Sequence, residues 1–152
     1  MNDIIKNLKK NMKLTEFRKL TNNRDPKFDK ALNELGDSLK EFVKRRRLFV
    51  CSGGLDRSPT AAELFNDSDK YEAKFCGIHP IIASIPLTKQ ALEWADEIFC
   101  MEPEHKRFIL EMFPLIIVKK SEIIILGIGN EYTRNDAELK KQLRIKLKNW
   151  LK

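Results

Sequence analysis

Leu48–Glu63, LFVCSGGLDRSPTAAE, is the stretch on which the fold turns. Leu48, Phe49 and Val50 form an apolar run of strand formers that delivers Cys51, and Arg57 follows six residues later. Ser58 and Pro59 then open a run of good helix formers, Ala61, Ala62 and Glu63. Strand, short loop and helix in that order are how an α/β sheet builds an anion site. The loop's backbone N–H groups converge on one point, and the helix N-terminus adds its partial positive charge there. Gly53 and Gly54 supply the freedom in φ that a concave loop needs. Ser58 is expected to cap the helix, with Pro59 at its first position, where a missing N–H costs nothing.

That cradle has a chemical consequence. A helix N-terminus and a neighbouring guanidinium favour the thiolate form of a cysteine placed between them, so Cys51 reads as a nucleophile. Arg57 offers a planar fork of donors that fits two phosphate oxygens, a geometry a lysine cannot reproduce. Residues Ser52, Gly53, Gly54, Leu55, Asp56, Arg57 and Ser58 are the expected phosphate-binding loop. Together they point to attack on phosphorus through a cysteinyl-phosphate intermediate. A Cys and an Arg at this distance, alone, would fit equally an inert thiol ending a buried strand. The preceding strand, the two glycines and the Ser-Pro helix start make the signal specific.

The stretch resembles the low-molecular-weight protein tyrosine phosphatases, whose signature is V-C-x-G-N-x-C-R-S-P before a helix. It is closer still to a short prokaryotic branch of predicted tyrosine phosphatases, in which C-S-x-N-x-x-R-S-P-T-A-E is typical. The resemblance continues through Leu92–His105, LEWADEIFCMEPEH, and Ile128–Asp136, IGNEYTRND, and covers roughly residues 47–152. It implies a phosphoric monoester hydrolase with Cys51 as nucleophile, Arg57 and loop N–H groups as the transition-state clamp, and Ser58 as a donor to the thiolate. Phosphorylated protein, phosphotyrosine first, or a small aryl phosphate is the implied substrate.

Two departures bear on activity. The family's general acid is an Asp in a D-P-Y sequence after the fourth strand. With Tyr132 in register with that Tyr, Asn130 stands in the acid's place, and Glu131 is the substitute expected to serve as acid. Asp56 stands where many relatives carry a second cysteine. A carboxylate there could oppose the thiolate of Cys51, bond Arg57, or point away. The usual loop Asn is also replaced, by Gly54. A catalytically weak phosphate-binding module and, less favoured, an arsenate reductase are therefore the alternative readings. The reductase needs a relay of further cysteines, whereas Cys76 and Cys100 read as core thiols at strand ends.

Composition agrees with one small domain. At 152 residues, with 42% hydrophobic and 34% charged residues, the chain is long enough for a real core. No apolar run approaches the roughly 18 residues needed to span a bilayer, and no signal-peptide core opens the chain. Three cysteines without paired spacing suggest a reducing compartment, so the expected location is cytoplasmic. His79 and His105 are far apart, and neither a metal nor a cofactor is implied.

The net charge of +7 lies wholly in residues 1–47, with 14 Lys and Arg against 7 Asp and Glu; the rest is balanced at 15 against 15. Residues 1–46 are expected to be a basic helical extension. Ile4, Ile5, Leu8 and Met12 mark a short helix, with Leu14, Phe17 and Leu20 continuing it. Phe28, Leu32, Leu35, Leu39 and Phe42 mark a longer one opened by Asp25-Pro26. Its apolar stripe packs on the core in the plainer reading and forms a dimer face or a docking arm for an anionic partner in the sharper ones. Lys44-Arg45-Arg46-Arg47 reads as a solvated strand edge or as part of that arm.

Within residues 47–152, strands are expected at about 48–51, Tyr71–Cys76, Glu97–Met101 and Ile123–Leu126. Helices are expected at about 58–67, from a Thr88 cap to Trp94, over Pro103–Phe113 and over Asp136–Leu151. Alternation of this kind predicts a four-stranded parallel sheet with helices on both faces, and a site at the carboxyl ends of the strands.

Overall fold

A computed structural model of the chain describes Glu34, Gly36 and residues 44–117 and 123–151. The extension's expected helices lie outside the described residues, apart from Glu34 and Gly36, which are both helical. The unit that follows residue 44 begins at Arg45.

Among the described residues from Arg45 onward, strands β1 (Arg45–Cys51), β2 (Tyr71–Gly77), β3 (Glu97–Cys100) and β4 (Ile123–Ile125) alternate with five helices. These are α1 (Arg57–Glu63), α2 (Lys89–Trp94), α3 (Pro103–Met112), the short α4 (Pro114–Ile117) and α5 (Ala137–Lys146). The sheet order is β2-β1-β3-β4 and every pairing is parallel. Successive side chains of a strand point to opposite faces, and the core divides accordingly. Phe49, Cys51, Phe99 and Met101 pack with Ala61, Phe65, Leu139, Leu143 and Leu147 on one face. Leu48, Val50, Ile98 and Cys100 pack with Leu92 and Ile109 on the other. Helices on both faces are thus what the sequence requires.

The chain leaves β1 to build β2 on one side and returns to build β3 on the other. That reversal opens a crevice at the carboxyl end of β1, and Cys51 is the strand's last residue. Helices α2 and α5 start where their capping residues predict. Thr88 Oγ1 accepts from the Ala91 N–H at 3.1 Å, and Asp136 Oδ1 accepts from the N–H groups of Glu138 and Leu139.

The basic run departs from expectation. β1 begins at Arg45, two residues before the boundary expected from the resemblance, so Arg45, Arg46 and Arg47 are strand residues. Arg47 is 2% exposed. Its Nε donates to Glu97 Oε2 at 2.7 Å, its Nη1 donates to the Trp150 carbonyl at 2.5 Å, and its guanidinium lies 3.6 Å from the Tyr71 ring centroid. The Arg46 backbone N–H donates to Asp96 Oδ2 at 2.9 Å, and Arg45 reaches Glu97 at 3.6 Å. Arg47 therefore ties the end of the chain to the sheet. Removing Arg47 leaves Glu97 with only its longer contact to Arg45 and strips the Trp150 carbonyl of its donor, and breaking a buried pair from one side is costly. Arg47→Ala is accordingly expected to cost about 3 kcal/mol in equilibrium urea unfolding; a loss below about 1 kcal/mol would place the pair among replaceable surface bridges.

Candidate active site

Residues 52–56 bend away from the end of β1 and return into α1. The bend is fixed by two glycines. Gly54 has φ +63°, in the left-handed region, and a Cβ there would meet the Gly77 nitrogen at 2.9 Å. A Cβ on Gly77 would in turn lie 2.6 Å from the Gly53 carbonyl carbon. The loop is thus pressed against the end of β2 at a distance only glycines permit. Gly53, expected to share the positive φ, does not have one.

The loop closes on the sulfur. Cys51 Sγ accepts from the Gly54 N–H at 3.1 Å and lies 3.1 Å from Ser58 Oγ. Helix α1 begins two residues before Pro59, the expected first position, with Asp56 at the N-cap, and it ends at Glu63 rather than near residue 67. Ser58 therefore does not cap. Its hydroxyl stands between Cys51 Sγ and the Cys76 carbonyl oxygen, to which it donates at 3.2 Å. A charged acceptor outcompetes a neutral one for a single proton, so a thiolate would draw that hydroxyl hydrogen to itself.

Arg57 is 4% exposed. Its Nη1 donates to Glu102 Oε2 at 2.6 Å and to the Ile128 carbonyl at 2.8 Å, and its Nη2 donates to Ser52 Oγ at 3.2 Å. Five N–H donors less these three leave the Nε–H and one Nη2–H, the edge that grips two oxygens of one anion. Asp56 points away from Arg57, and its Oδ1 accepts from the Arg134 N–H at 2.8 Å. Of the three readings open for this carboxylate, the bond to Arg57 is not the one the fold adopts; the carboxylate is bound to another loop.

Glu102 and His105 were not singled out in the sequence, yet they complete the site. Both follow β3, the strand beside β1, where α3 begins with Pro103. His105 is fully buried. Its Nδ1 accepts from the Glu102 N–H at 3.0 Å, so the proton sits on Nε2, which donates to Ser52 Oγ at 3.0 Å. Burial pushes His105 down to about 4, the charge of Arg57 adds to this, and Glu102 opposes it. The ring is neutral at neutral pH, as that tautomer requires. Ser52 accepts from both His105 and Arg57, which leaves its own proton to give.

Glu102, Glu104 and His105 do bring metal-ligand atoms within 4.8 Å of one another. Glu102 is already engaged by Arg57, and both nitrogens of His105 are engaged, so the group serves the loop.

The loop after β4 places its residues less decisively. Asn130 and Glu131 are exposed and Tyr132 is half-buried. The Glu131 carboxylate folds back over Gly129, where an added Cβ would collide with it. The Tyr132 phenol beside it is pushed up, by desolvation first and then by the charge of Glu131. On the opposite lip, a Cβ on Gly53 would stand 3.6 Å from Leu55 and 3.8 Å from Ile82, and both side chains are exposed. Cys76 and Cys100 are buried in strands. Burial pushes both thiols up, that of Cys100 to about 12.

No protein-family model and no curated protein sequence matches the chain. Solved structures do. SP-PTP, the low-molecular-weight protein tyrosine phosphatase from Streptococcus pyogenes, aligns at TM-score 0.59 and 20% identity over 70% of this chain and 91% of its own. The tyrosine phosphatase Wzb from Escherichia coli K30 aligns at 0.57 and 17% over 72% and 97%. The YwlE arginine phosphatase from Geobacillus stearothermophilus aligns at 0.51 and 23% over 69% and 92%. This chain has the fold of the low-molecular-weight protein tyrosine phosphatases.

Proposed function

We propose that the chain is a cysteine-dependent phosphatase that hydrolyses aryl phosphate monoesters, with phosphotyrosine as the first substrate to test, through a cysteinyl-phosphate intermediate. The observation that supports this reading is the closure of the Gly54 N–H and Ser58 Oγ on Cys51 Sγ, with Arg57 anchored beside them. The sulfur attacks phosphorus, the S–P bond forms and the P–O bond to the leaving group breaks. Water then displaces the sulfur and releases inorganic phosphate. Arg57 and the loop N–H groups stabilise the charge that develops on the equatorial oxygens, and Ser58 donates to the thiolate when it leaves. Exposed Leu55 and Ile82 offer an apolar lip to the aryl ring. All three cysteines are free, which suits a reducing cytoplasm. Among the described residues no helix is long and apolar enough to cross a membrane.

The leaving phenolate needs a proton, and Asn130 has none to give as an acid. Glu131 is the neighbouring carboxylate in the loop, but it folds back over Gly129. The enzyme is therefore expected to be slow on phosphotyrosine and faster on activated aryl phosphates. Asn130→Asp should raise phosphotyrosine hydrolysis about 10-fold or more and leave an activated ester nearly unchanged. If wild type already turns over phosphotyrosine at rates on the order of 1–10³ per second and the substitution adds nothing, Glu131 or another group is the acid. Phosphoarginine belongs in the same assay, because one structural neighbour is an arginine phosphatase.

The folding of Glu131 back over Gly129 favours a second reading, a phosphate-binding module without turnover. It takes over if neither wild type nor Asn130→Asp hydrolyses any of these esters while phosphate still binds. The burial of Cys76 and Cys100 speaks against a cysteine relay and so against arsenate reduction. An anionic partner for residues 1–46 stays a proposal, narrowed by the engagement of Arg45–Arg47 in β1.

A further inference from the structure

Two consecutive residues of the phosphate loop hold the loop 128–136 at its two ends. Arg57 Nη1 donates to the Ile128 carbonyl at 2.8 Å, and Asp56 Oδ1 accepts from the Arg134 N–H at 2.8 Å. The second anchor is reinforced from α1. Thr60 Oγ1 donates to the Asp56 carbonyl at 2.6 Å and accepts from the Asn135 N–H at 3.0 Å. The Arg134 guanidinium pairs with Glu63. Asn135 has φ +63°, a left-handed conformation that asparagine tolerates better than most residues. Between the anchors lie Asn130, Glu131 and Tyr132, the residues that stand where the resemblance places the acid loop.

Asp56 makes this bond at the expense of an ordinary one. An N-cap aspartate usually turns back to accept from the first N–H groups of its own helix. Asp56 occupies the N-cap of α1 with no side-chain capping bond, and its carboxylate reaches across to a loop 78 residues away.

We propose that Asp56 is a positioning residue whose carboxylate oxygen fixes the loop 128–136 to the phosphate loop, so that the placement of Asn130–Tyr132 is set by the same two residues, 56 and 57, that frame the anion. It acts as a hydrogen-bond acceptor and not as a charge on Cys51. The kinetic part of this inference rests on the phosphatase reading; the structural part does not.

Asp56→Ala and Asp56→Asn in the full chain separate the two roles. Both remove the charge, but only asparagine keeps an acceptor oxygen. Amide hydrogen exchange across residues 128–136 is measured first. Asp56→Ala is expected to speed exchange of the Arg134 amide about 10-fold or more by opening the loop locally, while Asp56→Asn restores wild-type protection. Hydrolysis of aryl phosphates with poor and good leaving groups is measured second. In the Asn130→Asp background, whose loop carries an acid, Asp56→Ala is expected to lower the ratio of poor to good substrate rates about 10-fold, and Asp56→Asn to restore it. Asparagine behaving like alanine in exchange, or alanine leaving exchange unchanged, overturns the positioning role. If wild type hydrolyses none of the esters, the phosphatase reading fails by itself, and the exchange result still decides for or against Asp56.

Discussion

Cys51→Ser is expected to lose turnover of aryl phosphates by about 10⁴-fold or more with the fold and the anion site intact. A serine hydroxyl is not ionised at neutral pH, and the groups around this position do nothing that would make it so. The Gly54 N–H and Ser58 Oγ, each 3.1 Å from the sulfur, are donors suited to an anion already formed. Neither can remove a proton from an alcohol in the way an adjacent base would. His105, a neutral imidazole beside the loop, bonds Ser52 and the Glu102 backbone and so is engaged elsewhere. The loop's shape does not depend on sulfur either. It is held by the positive φ of Gly54 and the contact of Gly54 with Gly77. The variant should therefore melt close to wild type and still bind inorganic phosphate. Steady-state hydrolysis and a phosphate titration of the same sample measure the two halves. Retention of most of the wild-type rate would falsify the covalent mechanism.

What the sequence announced and what it concealed differ by the range of the interactions concerned. The apolar run Leu48–Val50, the caps Thr88 and Asp136, and the spacing of Leu139 and Leu143 are local patterns, and they fix the end of β1 and the starts of α2 and α5, whereas α5 stops at Lys146, short of the expected Leu151. The cradle was legible for the same reason, since Cys51, Gly54 and Arg57 lie within seven residues. Features that misled or stayed silent depend on distant partners. Arg47 looked like part of an exposed basic run because its partners Glu97 and Trp150 stand 50 and 103 residues away. Asp56 looked like a charge beside the nucleophile because Arg134 lies 78 residues on. Ser58 looked like a helix cap because Ser-Pro before Ala-rich sequence is the usual signal; in the fold it is the second helical residue and serves the sulfur. Glu102 and His105 had the form of an ordinary helix start, with Pro103 behind the cap. Only the parallel pairing of β3 with β1 carries them to the loop. Their position just past a strand's carboxyl end, at the close of the resembling stretch Leu92–His105, was the signal available for them.

Arg57→Lys is expected to lower kcat/KM on aryl phosphates about 10³-fold, nearly as much as Arg57→Ala. The guanidinium serves two directions at once. Nη1 is fixed by Glu102 at 2.6 Å and the Ile128 carbonyl at 2.8 Å, and Nη2 reaches Ser52 at 3.2 Å. Its rigid plane thereby fixes the direction of the remaining Nε–H and Nη2–H, the donors that the proposed mechanism assigns to the phosphate. A lysine ammonium has three donors on one atom at the end of a flexible stem. If it bonds Glu102 it cannot also span two phosphate oxygens, and if it turns to the phosphate it abandons Glu102, whose side chain is 29% exposed. Either choice loses pre-organised stabilisation of the equatorial oxygens, so the loss should fall on kcat as well as on KM. Glu102→Gln supplies the control. Its amide oxygen still accepts from Nη1, so it should reduce kcat/KM far less than Arg57→Lys and leave phosphate affinity nearly unchanged. Full activity in the lysine variant would mean that a point charge suffices and that Arg57 mainly ties Glu102 to Ile128. A large loss in Glu102→Gln with intact phosphate binding would mean instead that the Glu102 charge itself takes part in the reaction.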